Sequence, residues 1–503
     1  MSNNRGKKLA LNTITSLSLQ VVTVICGFIL PRLILGTFGS DVNGLVNSIT
    51  QFLGVITLLD LGVGAVVQSS LYKPLAENDK DSISKIYVSA NRFFKRLATI
   101  LVVYVSVLVF VYPLIVNKKF GFLFTAALIG AISINTFSQY YFGIVNSLLL
   151  SADQKGYIQY TAQIVVLVIN TISCAVLIKI GASIQIVKLT TSIIFLFRPL
   201  YLFFYVRSHY DIDKKIKYTE EPIKQKWNGM AQHFASYILG GTDNIVLTLF
   251  STLSNVSIYS VYNLFINGIF MLITSLSNGF FSFFGDMWAK NEKEALRKTF
   301  ILFEWITNMF SIWVFGSASM VILDFVRTYT SGVEDANYIQ PCFALILVVA
   351  YFARSLRMPY NFIILAAGHY KQTQSSYIIS MIMNIVISVL FVKFFGLVGV
   401  AIGTFVAMLY QTLWMAWYNY KYLINLEGKR FAKLMFVDIF IVICGIIVGF
   451  NVKLPVNGYL SLFFKAIIIA VVWLIILALF NIVFYRSEVK QLLYFIKRKV
   501  KRI

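Results

Sequence analysis

Apolar side chains run in long, nearly unbroken stretches from one end of this chain to the other, and short clusters of Lys, Arg, Asn and Gly separate them. Fourteen such stretches stand out: 10–36, 42–71, 97–116, 120–150, 157–178, 184–206, 230–252, 256–285, 299–323, 338–367, 374–395, 397–420, 434–450 and 459–485. A helix needs about 20 apolar residues to cross a hydrocarbon core of roughly 30 Å, whereas a barrel strand needs about ten residues of strict alternation. The pattern therefore predicts an all-α polytopic membrane protein of about 14 transmembrane helices with no room for a sizeable soluble domain. Composition agrees: 58% of the 503 residues are apolar and only 13% are charged, far outside the range of soluble globular domains.

The net charge of +23 changes the picture only through its placement. With the N-terminus in the cytoplasm, 32 of the 44 Lys and Arg residues fall in inside segments, 8 in outside segments and 4 within spans. Such a bias fixes a cytoplasmic location for both termini and makes a nucleic-acid partner unnecessary. Residues 1–8 lead into an apolar stretch too long for a signal peptide, so it reads as a retained first span in a cytoplasmic (inner or cell) membrane. Cys26, Cys174, Cys342 and Cys444 lie in or at the ends of spans and read as reduced packing residues.

A shift of 214 residues superimposes the loop pattern on itself: loop 73–85 falls on 287–299, Ser40-Asp41-Val42 on Ser254-Asn255-Val256, Asn170 on Asn384, and Lys179 on Lys393. Each repeat holds six spans, an even number, so both copies insert in the same orientation, related by an axis along the membrane normal. The expected organisation is an N-terminal six-helix lobe at 1–206, a cytoplasmic linker at 207–226, a second six-helix lobe at 227–430, and an extra helix pair with a basic tail at 431–503. The two lobes are expected to face each other across a cleft. The tail from Ser487 to Ile503 alternates apolar and basic residues, as an amphipathic helix on an anionic leaflet does and as a plain basic tail also does.

Charge inside a span is costly, about 2.5 to 3.5 kcal/mol for an arginine at the bilayer centre on insertion scales, so each instance asks for a partner or a polar cavity. Arg354 and Arg357 stand one helical turn apart in LILVVAYFARSLRMPYN, share a face with Tyr351, and precede Met358-Pro359, where the backbone can open. Arg198, before Pro199, lies past the midplane of its span, and Arg32 lies near the outer end of the first, where snorkelling is an alternative. These four arginines, with Tyr351, Tyr360 and Asn361 as hydroxyl or amide partners, form the candidate substrate-binding set. Asp60 and Asp243 are expected to balance arginines, to be protonated, or to carry a coupling ion. Gly240-Gly241 should admit another backbone closely. Glu304 reads as an ordinary interfacial residue one turn beyond Arg297 and Lys298.

His209, His233 and His369 have no metal-ligand spacing, and no glycine-rich phosphate loop or nucleophile elbow is present. No metal, cofactor or catalytic activity is expected.

The segment PRLILGTFGSDVNGLVNSITQFLGVITLLDLGVGAVVQSSLYKPLAEND, residues 31–79, resembles the N-terminal signature of Wzx-type polysaccharide repeat-unit flippases. Their superfamily also holds MATE multidrug exporters and the lipid II flippase. The matching features are Arg32, Leu35-Gly36, Gly39, Gly44 and Leu61-Gly62-Val63-Gly64; ILAAGHYK at 364–371 and the plan of six, six and two spans extend the resemblance over the whole chain. It implies a MATE-like fold that moves undecaprenyl-diphosphate-linked oligosaccharide from the cytoplasmic to the outer leaflet by alternating access through a cationic lumen. It also implies contacts with membrane lipids and with polysaccharide assembly proteins, assigns Arg32 to the arginine after the first helix's break, and links spans thirteen and fourteen to the lipid tail. Two other functions compete: a cation-coupled multidrug exporter, which should have an acidic rather than an arginine-rich cavity, and a membrane polysaccharide polymerase or ligase, which should carry a substantial outer loop.

Overall fold

The computed structural model describes residues 2–59, 63–116, 119–216, 218, 230–452 and 454–490. Asp60, residues 217 and 219–226 of the linker and the end of the tail from Gln491 onward lie outside the described residues.

Among the described residues there are helices and no strands. In chain order they are α1 (Ser2–Gly54), α2 (Val63–Glu77), α3 (Lys80–Val116), α4 (Phe122–Ser138), α5 (Ile144–Ala152), α6 (Gly156–Lys179), α7 (Ile184–His209), α8 (Met230–Phe250), α9 (Leu253–Ala289), α10 (Lys293–Tyr329), α11 (Pro341–Leu356), α12 (Met358–Ala366), α13 (Tyr370–Phe395), α14 (Leu397–Tyr418), α15 (Gly428–Phe450) and α16 (Tyr459–Phe484). Twelve helical stretches are long and apolar enough to cross a membrane. The expected fourteen spans are reached because Gly39 divides the first of these, and because the shorter apolar helix Tyr237–Phe250 falls on the seventh.

The expected boundary between the spans 10–36 and 42–71 falls on a kink at Gly39. α1 is two helical segments that meet at Gly39, whose φ of 80° and ψ of 178° are non-helical, open to glycine and costly for other residues. The second span is not one helix: it tightens into a 3₁₀ turn at Val55–Leu59 and resumes as α2.

The chain forms two compact units. The first comprises Met1–Tyr237 with Thr252–Ser257, the second Ile238–Ser251 with Ile258–Ile503. In the first, Phe94, Leu97, Leu101 and Leu149 centre one buried cluster and Leu45, Ile49, Leu128 and Val187 another. Its basic end is tied by polar contacts: Lys8 ion-pairs with Asp153, whose carboxylate accepts from Tyr210 at 2.5 Å, while Asn12 accepts from the Tyr157 amide.

In the second unit α13 and α14 pack most intimately, and glycine is the reason. A Cβ on Gly403 would meet the Ser388 backbone nitrogen at 2.8 Å and the Asn384 carbonyl at 3.0 Å. Trp473 joins α16 to α10 and α15: its ring fills the space where Gly316 and Gly445 lack side chains, and a Cβ at either would lie closer than 3.0 Å to it. Trp305 and Trp313 reinforce that seam by donating to Asn481 and to the Ala470 carbonyl, each at 2.8 Å.

The 214-residue register recurs in where the helices yield. Span four loosens into a π-turn at Gln139–Gly143, and span ten breaks at Arg357 between α11 and α12. Residues 139–143 and 353–357 correspond under that shift.

Candidate functional site

The break at Arg357 follows from Pro359, which has no amide hydrogen to continue the ladder and so starts a new helix in its first turn. It sets Arg354 and Arg357 on either side of the discontinuity. The Arg354 guanidinium lies 4.5 Å from the ring centre of Phe270 and 5.5 Å from that of Tyr351, an arrangement that stabilises a cation without neutralising it. Arg357 has its Nη1 buried with no hydrogen-bond partner among the described residues. Neither guanidinium forms an ion pair with a described carboxylate.

Tyr351 donates to Asn263 at 2.9 Å and lies within reach of Tyr259 and Arg354. Tyr259 in turn donates to Asp243 at 2.8 Å. Asp243 therefore does not pair with an arginine directly; two tyrosines stand between it and Arg354. Its carboxylate lies in a nest of neutral groups. Thr404 Oγ1 is 2.8 and 2.7 Å from its two oxygens, and Asn384 Nδ2 is 3.5 Å from one of them and 3.1 Å from Thr404. Asn384 Oδ1 is buried and unpartnered, and Ser388 and the Val400 carbonyl follow one turn along, 3.4 Å apart. Gly240 does not admit a second backbone, since nothing lies within 4 Å of where its Cβ would be; the close approach that builds this nest is at Gly399 and Gly403.

Tyr360 and Asn361 have their polar atoms engaged. Tyr360 is 1% exposed and donates to Glu304 at 2.7 Å; Asn361 Oδ1 accepts from Tyr377 at 2.6 Å. Glu304 is not an interfacial residue beside Arg297 and Lys298. It is fully buried, its neighbours are Tyr360, Tyr420 and Arg430, and the last lies 3.6 Å away. In the first unit, Arg198 is half-buried with its Nε unpartnered, and the adjoining Pro199 packs 3.1 Å from the Cβ position of Gly143 in the π-turn. Arg32 folds along α1, its Nη1 3.1 Å from the Cβ position of Gly36, toward the Gly39 break.

A search for charge alone passes over most of this. Asn384, Thr404 and Tyr259 are neutral, and their signal is polarity at buried helical positions within otherwise apolar spans. No group of three or more His, Cys, Asp or Glu side chains that would hold a metal occurs among the described residues.

No protein-family model matches the chain, and no curated protein sequence does. Solved structures do. The lipid II flippase MurJ in an inward closed conformation is 16% identical, with a TM-score of 0.68 over 95% of this chain and 100% of that one. A multidrug resistance MATE family transporter of the MOP superfamily, inward-facing, is 15% identical with a TM-score of 0.56 over 80% of this chain and 97% of that one. A MOP superfamily transporter from Pyrococcus furiosus, described by the reverse polarity of its binding pocket, is 15% identical with a TM-score of 0.53 over 82% and 94%. The chain is a multi-pass membrane protein with the fold of these transporters and flippases.

Proposed function

We propose that this protein is a flippase of the Wzx type, moving undecaprenyl-diphosphate-linked oligosaccharide across the cytoplasmic membrane for cell-surface polysaccharide assembly. One observation carries the reading: Arg354 and Arg357 sit at a helix break inside a span, unneutralised by any described carboxylate. A diphosphate supplies the missing anion, and guanidinium forks match its oxygens better than ammonium groups do. Arg198 and Arg32 of the first unit are likewise assigned to phosphate contacts, and Tyr351 to a sugar hydroxyl. Tyr360 and Asn361 reach sugars only if they release Glu304 and Tyr377.

The fold shared with a lipid flippase and with drug exporters supports transport and does not choose between the two. The arginine pair favours an anionic substrate over the cationic amphiphiles of an exporter. An apolar cleft of about 850 Å³ lined by Met320, Leu345, Val348, Ile446 and Ile469 of the second unit suits an alkyl chain, with Lys465, Asp324 and Arg327 at its mouth. The nest around Asp243 is assigned to the coupling ion, a proton or an alkali cation, with Asn384 Oδ1 as a further oxygen. The positive-inside bias places the basic ends and both termini in the cytoplasm.

The test is leaflet translocation of a fluorescent polyprenyl-diphosphate oligosaccharide in vesicles. Arg354→Ala with Arg357→Ala should reduce the rate at least roughly tenfold, the equivalent of about 1.4 kcal/mol. Unchanged flipping by a correctly inserted double variant would remove the arginine assignment. Translocation of cationic dyes in place of the oligosaccharide would favour the exporter.

A further inference from the structure

Asp438, on α15, is a buried carboxylate that the transport reading does not use. It is 2% exposed, and its Oδ2 accepts a hydrogen bond from Asn308 Nδ2 on α10 at 3.3 Å. Its Oδ1 is buried without a partner among the described residues, and so is the Oδ1 of that same Asn308. Two open acceptors thus sit on two groups already joined by one hydrogen bond.

Donor arithmetic decides what completes the pair. A carboxamide offers donors on nitrogen and acceptors on oxygen; an ionised carboxylate offers acceptors only; a carboxylic acid offers one of each. An ionised Asp438 leaves its own Oδ1 and the Asn308 Oδ1 unsatisfied, at about 1–3 kcal/mol for each buried group. A protonated Asp438 returns a hydrogen bond to Asn308, and the two side chains close reciprocally.

The surrounding charges point the same way. From α10 Glu304 acts on Asp438, from α12 Tyr360, and from the segment after α16 Tyr485. On its own helix the cations are Lys429, which is exposed in the first turn, Arg430 and Lys433. Arg430 is already held between Glu304 at 3.6 Å and Glu488 at 3.3 Å, and Lys433 is bound to the Phe484 carbonyl at 3.2 Å. No described cation is left for Asp438. Its remaining surroundings are apolar, with Phe315, Phe352, Val442 and Ile446 lining a cleft of about 340 Å³ that Asp438 borders.

We propose that Asp438 is a proton-binding site whose protonated carboxyl closes an acid–amide pair with Asn308, clamping α15 to α10, and that the proton exchanges with the basic end of the bundle past the carboxylates of Glu304 and Glu488, which Arg430 holds together. Loss of the proton sets a carboxylate against the Asn308 oxygen and against Glu304. Both repel it, so α15 withdraws from α10 and the bordering cleft widens. This holds for any transported substrate.

Infrared spectroscopy of the full chain in nanodiscs tests it without a transport assay. The wild type should show a deuterium-sensitive carboxylic acid band that Asp438→Asn removes and Asp243→Asn leaves in place. Raising the pH should abolish the band in one transition, and Asn308→Leu should lower its midpoint by about one pH unit, a tenfold loss of proton affinity. The exchanged pair Asn308→Asp with Asp438→Asn keeps one acid and one amide, and should restore both the band and the midpoint. In a Val442→Cys background, maleimide labelling should quicken with rising pH and become pH-independent once Asp438→Asn is added. An identical band in wild type and Asp438→Asn, an unmoved midpoint in Asn308→Leu, or equal pH dependence of labelling in both backgrounds would each overturn the proposal.

Discussion

Asn43 donates a 2.7 Å hydrogen bond to Ser257, the residue that stands 214 positions later and therefore occupies the same place in the second repeat. Both side chains are buried, and both belong to the first compact unit. The neighbouring Gly44 is pressed so close to the Leu253 carbonyl that no Cβ would fit. Asn43→Leu should lower stability by about 0.5–1.5 kcal/mol through the hydrogen bond it removes. Asn43→Leu with Ser257→Ala should cost less than the two single changes together. Thermal unfolding in detergent, read as a double-mutant cycle, gives the coupling; strict additivity would mean the bond contributes nothing.

Gly403→Val should separate α13 from α14, because its side chain would enter the Ser388 and Asn384 backbone. Overpacking of this kind costs about 1–3 kcal/mol in a core that can shift. Backbone does not yield as a side chain does, so the upper end or loss of folding is expected. Gly240→Ala, which meets open space, should not lower the melting temperature and serves as the control.

Removing one member of the Glu304–Arg430 pair should destabilise far more than removing both. Arg430→Met strands a buried carboxylate and is expected to cost about 3–5 kcal/mol, whereas Arg430→Met with Glu304→Gln should recover most of it. Tyr360 and Tyr420 can still bond to the glutamine oxygen, which is why the double change is tolerable. Melting curves of the three variants decide the order.

The polar tie at the basic end of the first unit should respond to acid. Burial pushes the Asp153 carboxyl up, but hydrogen bonds from Lys155 and Tyr210 and the charges of Lys155 and Lys8 outweigh it and hold the group below the usual carboxylate range. A depressed folded value means stabilisation that is present above the unfolded value, about 3.9, and lost as pH falls through the folded one. Wild type should therefore lose stability on acidification below about pH 4 in a way that Asp153→Asn does not. Parallel slopes in a pH-dependent melting series would show that Asp153 contributes nothing to it.

The fold was legible because hydropathy alone marks a span: an uninterrupted run such as 459–485 admits few other structures. The arginine pair was legible for a related reason, since a charge in hydrocarbon is conspicuous. What escaped were relationships that charge and run length do not encode. Glu304 looked interfacial because Arg297 and Lys298 precede it closely, yet its cation is Arg430, brought by α15 from 126 residues away. Asn384 and Thr404 draw attention only once Asp243 is seen between them.

The π-turn at Gln139–Gly143 carries a consequence for the ancestry of the two halves. Such a turn holds one residue more than an α-helix needs, so deleting a single residue there straightens the helix and swings everything beyond it by about 100°. Span ten reaches its interruption by another route, a proline that forbids continuation. One half thus stores its bend as a removable residue and the other as a fixed ring. A single-residue deletion within 139–143 should yield an intact, rotated helix, while an equivalent deletion around Arg357 should leave the break where Pro359 sets it.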